Sequence, residues 1–132
     1  MEIDEKYYDY AIAQMDRAER EKKKYNGYKN KADRTCFYTE TPYAERHEVF
    51  GGTANRKISL RLGFQVDLCP EKHLEIQMCT TPWGRQENNK WRTHFQRAYM
   101  DRIKEEGVTE QEALRAWVML IGRNYIMDLM PQ

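Results

Sequence analysis

The sequence predicts an α+β fold in which a small antiparallel hairpin is embedded among helices. Segments near both ends carry apolar residues at helical spacing, whereas the middle carries short apolar stretches separated by glycine and proline. At 132 residues the chain has room for one modest core. We therefore expect a single domain, residues 1–132, composed of an N-terminal helix (3–26), a hairpin-containing core (35–78) and a C-terminal helical part (90–126).

The N-terminal segment is predicted to be an amphipathic helix. Apolar side chains recur at helical spacing from Ile3 to Ala18, tyrosines lie on the same stripe, and Gly27 offers a left-handed stop. We expect this tyrosine-rich stripe to be buried against the rest of the domain, with a homodimer seam as the alternative.

The middle of the chain predicts short elements. Three strands are expected, at residues 35–38, 43–50 and 64–68. A short helix is predicted between the last two strands, with Thr53 as its N-cap and Gly63 as its stop. Pro70 opens the next helix in its first turn, where proline costs little.

The C-terminal third is predicted to hold two helices after a polar loop at residues 80–90. The first helix runs from Trp91 and ends at Gly107, with an apolar face at helical spacing. Thr109 and Glu112 form a capping box that begins the second helix. These two helices should supply the apolar faces that cover the hairpin.

Charge and hydropathy narrow the class of protein. Net charge is only +1, but residues 17–34 hold eight basic residues against three acids, and residues 53–61 hold three basic residues and no acid. Such local basic stretches favour a polyanion partner, with a solvated helix face as the alternative for residues 17–34. No apolar run approaches the roughly 20 residues of a membrane span, so we expect a cytoplasmic protein without a membrane partner.

Two histidines are the candidate functional residues. His47 lies beside Glu48 at the end of a predicted strand, and His73 lies in the first turn of a predicted helix. Imidazole titrates near neutral pH and accepts a proton or binds a metal, whereas a carboxylate suits a hard cation. A base, metal ligands and cations in one small volume are what phosphodiester hydrolysis requires.

These residues belong to a longer pattern. The segment RHEVFGG at residues 46–52 is followed by NRK at 55–57, by LCPEKH at 68–73 and by IGRNYI at 121–126. In order and spacing the pattern resembles a family of small phage and prophage proteins related to the HNH, or ββα-metal, nucleases. The resemblance covers residues 36–126 and leaves the N-terminal helix unexplained.

The resemblance implies a ββα-metal core and a metal-dependent endonuclease that hydrolyses nucleic acid, DNA being favoured over RNA. It implies one divalent ion, magnesium or manganese, and a role in phage recombination, replication or packaging in the cytoplasm of a bacterial host. His47 would be the catalytic residue, Glu48 and His73 would bind the metal, and the nucleic acid would be contacted by Arg46, Asn55, Arg56 and Lys57.

The sequence also departs from the family pattern. Glu48 stands where the general base usually lies, so either His47 takes that role or the site binds a metal without cleaving. Thr39 and Lys72 stand at the places of two zinc cysteines, so structural zinc is not expected. The alternatives are a non-catalytic module that binds nucleic acid, and a phage protein that binds a host protein through its first helix or its acidic residues 105–112.

Overall fold

The computed structural model describes residues 3–21, 31–126 and 128–129. Within these ranges the chain forms five α-helices, one short 3-10 helix at Lys31–Asp33 and a two-stranded antiparallel sheet. This is an α+β architecture, as the sequence predicts. In chain order the elements are α1 (Glu5–Glu21), β1 (Glu45–Glu48), α2 (Thr53–Leu62), β2 (Gln65–Leu68), α3 (Pro70–Met78), α4 (Pro82–Lys104) and α5 (Glu110–Ile121).

The two strands form a hairpin whose connection contains α2. Glu45 lies opposite Leu68, and Glu48 lies opposite Gln65. Gly63 ends α2 in the left-handed conformation at φ 81°, as the sequence predicts, and the chain enters β2 two residues later. Pro70 lies in the first turn of α3, directly after β2. The chain therefore runs strand, helix, strand, helix through the region that carries both candidate histidines.

An aromatic core joins the hairpin to the helices. Phe64, which immediately precedes β2, contacts the rings of Phe95 in α4 and Trp117 in α5, with both centroid distances 5.6 Å. All three side chains are fully buried. Tyr7 on α1 is also buried and packs on Trp91 of α4 at 4.6 Å. The tyrosine-rich stripe of α1 thus faces the domain, which confirms the expected burial.

Four local predictions about secondary structure need correction or fall outside the description. Residues 80–90 are largely helical, because Thr81 caps α4 by accepting a hydrogen bond from the Gly84 N–H at 3.0 Å. Residues 35–38 form a turn with a single bridge between Thr35 and Pro42, not a strand. The N-cap of α2 is Gly52, and Thr53 is its first residue. The predicted stop at Gly27 lies outside the described residues.

The capping signals of α5 are confirmed. Thr109 accepts a hydrogen bond from the Glu112 N–H, and the Glu112 carboxylate accepts one from the Thr109 N–H. Gly122 ends the helix in the left-handed conformation. None of the described helices combines the length and the apolar character needed to cross a bilayer.

Candidate functional site

The pleat of the hairpin sorts the candidate residues between its two faces. Successive side chains of a strand point to opposite faces, so Glu45 and His47 share one face of β1, and Arg46 and Glu48 share the other. Helix α3 contacts both strands and carries His73. Glu45 and His47 therefore come from β1, and His73 comes from α3, the helix that follows β2.

The structure brings the two predicted histidines together. The ring centroids of His47 and His73 are 5.1 Å apart, and the rings meet edge to face at 62°. His73 Nδ1 is 2.8 Å from Glu45 Oε1, so the carboxylate fixes the orientation of that ring. The ring of His73 and the carboxylate of Glu45 are partly open to solvent, whereas His47 lies behind them at 7% exposure. The three side chains form a small site at the surface of the hairpin.

Glu45 was not predicted from the sequence, although the signal was present. It precedes His47 by two residues, and alternation along a strand places residues two apart on the same face. Glu48, the expected metal ligand, follows His47 directly and lies on the other face, opposite Gln65. The carboxylate that reaches the histidine pair is therefore the one two residues earlier.

The electrostatics of His47 favour a neutral ring at physiological pH. Burial lowers the pKa of His47 to about 4, and the nearby His73 ring and Arg92 guanidinium add to the effect. His47 Nε2 is buried and has no hydrogen-bond partner in the described part of the chain. A neutral imidazole nitrogen of this kind is available to bind an electrophile or to exchange a hydrogen bond with a bound group.

The opposite face of the hairpin is occupied by an ion pair. Arg46 Nε lies 3.2 Å from Asp67 Oδ1 on the paired strand, and both side chains are largely buried. Burial raises the pKa of Asp67, while the guanidinium groups of Arg46, Arg34 and Arg17 oppose that rise. Arg17 of α1 also donates to Gln65 Oε1 at 2.8 Å. Arg46, expected to contact nucleic acid, is thus engaged within the protein, on the face covered by α1.

The other expected nucleic-acid contacts lie on α2. Asn55 Nδ2 donates to the carbonyl oxygen of Ile121 at 3.0 Å and so ties the first turn of α2 to the end of α5. Arg56 and Lys57 are exposed, and neither makes an ion pair with a described residue. The structure therefore gives Asn55 an internal contact and leaves Arg56 and Lys57 accessible to a partner.

The histidine pair offers donors that fit a divalent ion. His47 Nε2 is an orphaned, buried imidazole nitrogen, and His73 is oriented by a carboxylate in the manner of metal-binding histidines. No group of three His, Cys, Asp or Glu side chains among the described residues is already placed to hold an ion. Two imidazole donors suit a transition-metal ion better than magnesium, with oxygens of water or phosphate completing the coordination.

His94 has an internal structural role. His94 is buried, its Nδ1 lies 2.7 Å from the Lys90 carbonyl oxygen, and its Nε2 accepts from the Asp4 N–H at 3.1 Å, so it ties α1 to α4. Burial raises the pKa of the Cys36 thiol, but hydrogen bonds from Thr39, Cys69 and Tyr38 outweigh this and lower the pKa overall. The Thr39 hydroxyl also shares a hydrogen bond with the Thr41 hydroxyl at 2.8 Å.

Comparison of this chain with family models, with curated proteins and with solved structures found no match.

Proposed function

We propose that this chain is an HNH-like protein that binds nucleic acid and hydrolyses phosphodiester bonds with one divalent ion. The observation that carries the proposal is the convergence of His47 and His73, whose ring centroids are 5.1 Å apart. These are the two histidines for which the resemblance implies functional roles. They reach one another through a strand, an antiparallel partner strand and a helix, in that order along the chain.

The chemistry of His47 favours a role as a ligand over a role as a general base. A base with a pKa of about 4 is a weak proton acceptor at neutral pH, because efficient bases titrate near the working pH. The same neutral, unpartnered nitrogen is well suited to coordination. We therefore assign the ion to His47 and His73.

Glu45 has a positioning role in this proposal. Its carboxylate holds His73 Nδ1 at 2.8 Å, which leaves Nε2 of that ring as the coordinating atom. When bound, a divalent ion lowers the pKa of a water molecule and offsets negative charge on the scissile phosphate. Arg56 and Lys57 supply exposed positive charge for the nucleic-acid backbone.

The test is cleavage of supercoiled plasmid DNA in the presence of manganese or magnesium. We expect His47→Ala and His73→Ala to lower the rate by about 100-fold or more, and Glu45→Gln to lower it by about 10- to 100-fold. Glu71→Gln, which removes an exposed carboxylate from the same helix as His73, is the matched control. Calorimetric titration of manganese into wild type and His73→Ala measures the ion site without a substrate.

Two results would contradict the proposal. Cleavage that survives both histidine substitutions would place the chemistry elsewhere. Manganese binding that is equal in wild type and His73→Ala would remove the ion from this site. Glu48→Gln distinguishes the role of Glu48 from that of Glu45, because we expect it to reduce the cleavage rate less than Glu45→Gln does.

A second candidate function is nucleic-acid binding without cleavage. It is favoured by the position of Glu48, which stands where the resembling family has its base but lies on the face away from His73. This alternative predicts salt-dependent DNA binding and no cleavage with any divalent ion. Arg56→Gln or Lys57→Gln would then reduce the salt slope by about one each, and His73→Ala would leave the affinity unchanged.

A further inference from the structure

Arg92 on α4 is a cation without an anionic partner. None of the described carboxylates forms an ion pair with it, and its buried Nε has no hydrogen-bond partner within the described residues. The next arginine along α4, Arg97, has two carboxylate partners, Asp101 and Glu110. Desolvating a guanidinium nitrogen without a partner is costly, so the position calls for an acceptor that the described residues do not supply.

The side chain of Arg92 is held in place by an aromatic ring. Its guanidinium carbon lies 5.5 Å from the ring centroid of Tyr125, and Arg123 contacts the same ring at 5.2 Å. The Tyr125 ring in turn packs on the ring of Phe50, with the two centroids 5.5 Å apart. Phe50 follows His47 by three residues along the chain. Tyr125 thus links the guanidinium of Arg92 to the end of the strand that carries His47.

The second observation is the buried nitrogen of His47. Only 7% of the surface of His47 is exposed to solvent, and its Nε2 has no hydrogen-bond partner in the described part of the protein. Contacts through Tyr125 connect Arg92 to Phe50, which lies just beyond the strand that carries His47, and the Arg92 guanidinium contributes to the lowered pKa of His47. Two buried nitrogens with unused hydrogen-bonding capacity, one of them on a permanent cation, therefore lie in the same part of the molecule. The chemical complement of the Arg92 cation is an oxyanion. The lone pair of His47 Nε2 is the one already assigned to the ion.

We propose that Arg92 binds a phosphate group beside the His47–His73 pair, with Tyr125 as its brace. The planar fork of an arginine matches two oxygens of a phosphate, which a lysine cannot do. The identification of that phosphate as one of a nucleic-acid backbone rests on the proposed function. Arg92 then holds the phosphate from α4, while the histidines approach it from the hairpin and α3.

The first experiment uses inorganic phosphate and the metal-free full chain at constant ionic strength. Added phosphate is expected to shift the NMR signals of the Arg92 Nε–H and of the His47 ring in wild type. Arg92→Gln should abolish the shift of His47, whereas Arg85→Gln, which removes an exposed charge from the same helix, should preserve it. Signals of Arg92 and His47 that do not move in wild type would overturn the proposal even if Arg92→Gln fails to fold.

The second experiment measures DNA binding by fluorescence anisotropy in EDTA, where no metal-dependent cleavage occurs. Arg92→Gln should weaken binding about ten-fold more than Arg85→Gln and should reduce the salt slope by about one. Equal effects of the two substitutions would overturn the assignment of Arg92 to the backbone. Phosphate shifts without DNA binding would instead refute the proposed function and leave the phosphate site intact.

Discussion

His47 shows how one buried side chain can serve a site and still limit stability. Its ring is held at 7% exposure between the hairpin and α3, and its Nε2 makes no hydrogen bond within the described residues. Native proteins satisfy most buried polar groups, so a group left open in this way is a marker of function. The same burial has a consequence for stability that can be measured without any substrate.

We predict that the metal-free protein loses stability as the pH falls from 6.5 towards 4. The folded protein holds the pKa of His47 at about 4, below the model-peptide value of 6.5, so the unfolded chain binds a proton in this window and the folded chain does not. The contribution is fully present above pH 6.5 and amounts to roughly 3 kcal/mol. Urea unfolding across this range in EDTA measures it.

The control for that prediction is His47→Asn, which removes the titrating ring. Subtracting its pH profile from that of wild type isolates the contribution of His47 from those of other buried groups, such as Asp67, whose pKa is raised by burial. Parallel profiles for the two proteins would show that His47 is not held neutral by the fold.

At the level of secondary-structure elements, the turn between α2 and β2 packs closely against α1. Gly63 has φ 81°, and a Cβ at this position would overlap the carbonyl oxygen of Gln14 and lie 2.8 Å from Ala18 Cβ. The clashing atom belongs to the backbone of α1, which cannot move aside as the end of a flexible side chain can. The glycine therefore serves two purposes, since it ends α2 and lets the hairpin approach α1.

We predict that Gly63→Ala destabilises the protein by roughly 2–5 kcal/mol, the sum of left-handed strain and overpacking. Gly122→Ala is the matched control, because Gly122 ends α5 in the same left-handed conformation but a Cβ there would meet no atom within 4 Å. It should cost only about 1–2 kcal/mol. Chemical unfolding of both variants gives the difference, and equal losses would show that the contact with α1 is unimportant.

The first turns of α4, which the sequence patterns assigned to a loop, also depend on a glycine. Residues 80–90 contain Pro82, Gly84 and two asparagines, which favour a loop. Here Pro82 lies in the first turn and Thr81 supplies the cap, so both act as start signals. A Cβ at Gly84 would lie 2.5 Å from the carbonyl oxygen of Glu75 in α3. Helix packing overrode the local preference, because only a glycine permits this approach.

At the level of the whole molecule, a buried carboxylate joins three parts of the chain. Glu87 of α4 is 5% exposed and accepts hydrogen bonds from the hydroxyls of Tyr7 on α1 and of Tyr38, the latter at 2.8 Å. Tyr38 accepts a further bond from Trp91 Nε1 at 2.8 Å. Burial raises the pKa of both tyrosines above their ordinary range, and the bond to Glu87 adds to the rise. Both hydroxyls therefore stay protonated and donate.

We predict that the two tyrosines stabilise the fold cooperatively. Tyr7→Phe and Tyr38→Phe should each cost about 1–2 kcal/mol. Among the described residues, the double variant leaves Glu87 with Lys90, 3.7 Å away, and should cost more than the sum of the single losses by about 0.5–3 kcal/mol. Tyr8→Phe, which removes a bond to Asp101 at a more open position, is the control and should cost less. Strictly additive losses would argue against a single network.

Much of the candidate site could be expected from the sequence. His47 and His73 were identified by their neighbours, and the structure brings their rings together. Alternation along the strand puts Glu45 on the same face as His47, but only the structure shows that this face meets α3 and that Glu45 pairs with His73. Arg92 carried no sequence signal, since it is one of many basic residues on a charged helix.

The sequence by itself determined the class of the fold, the order of its main elements and several of their ends. These follow from local rules: apolar spacing, the capping box at Thr109, and the left-handed glycines at positions 63 and 122. Only the tertiary structure decided which polar groups meet. It paired Arg46 with Asp67, turned Asn55 towards α5 and set Glu45 against His73, because such contacts join residues 21, 66 and 28 positions apart. Separations of that size carry no periodic signal and are fixed by packing of the core.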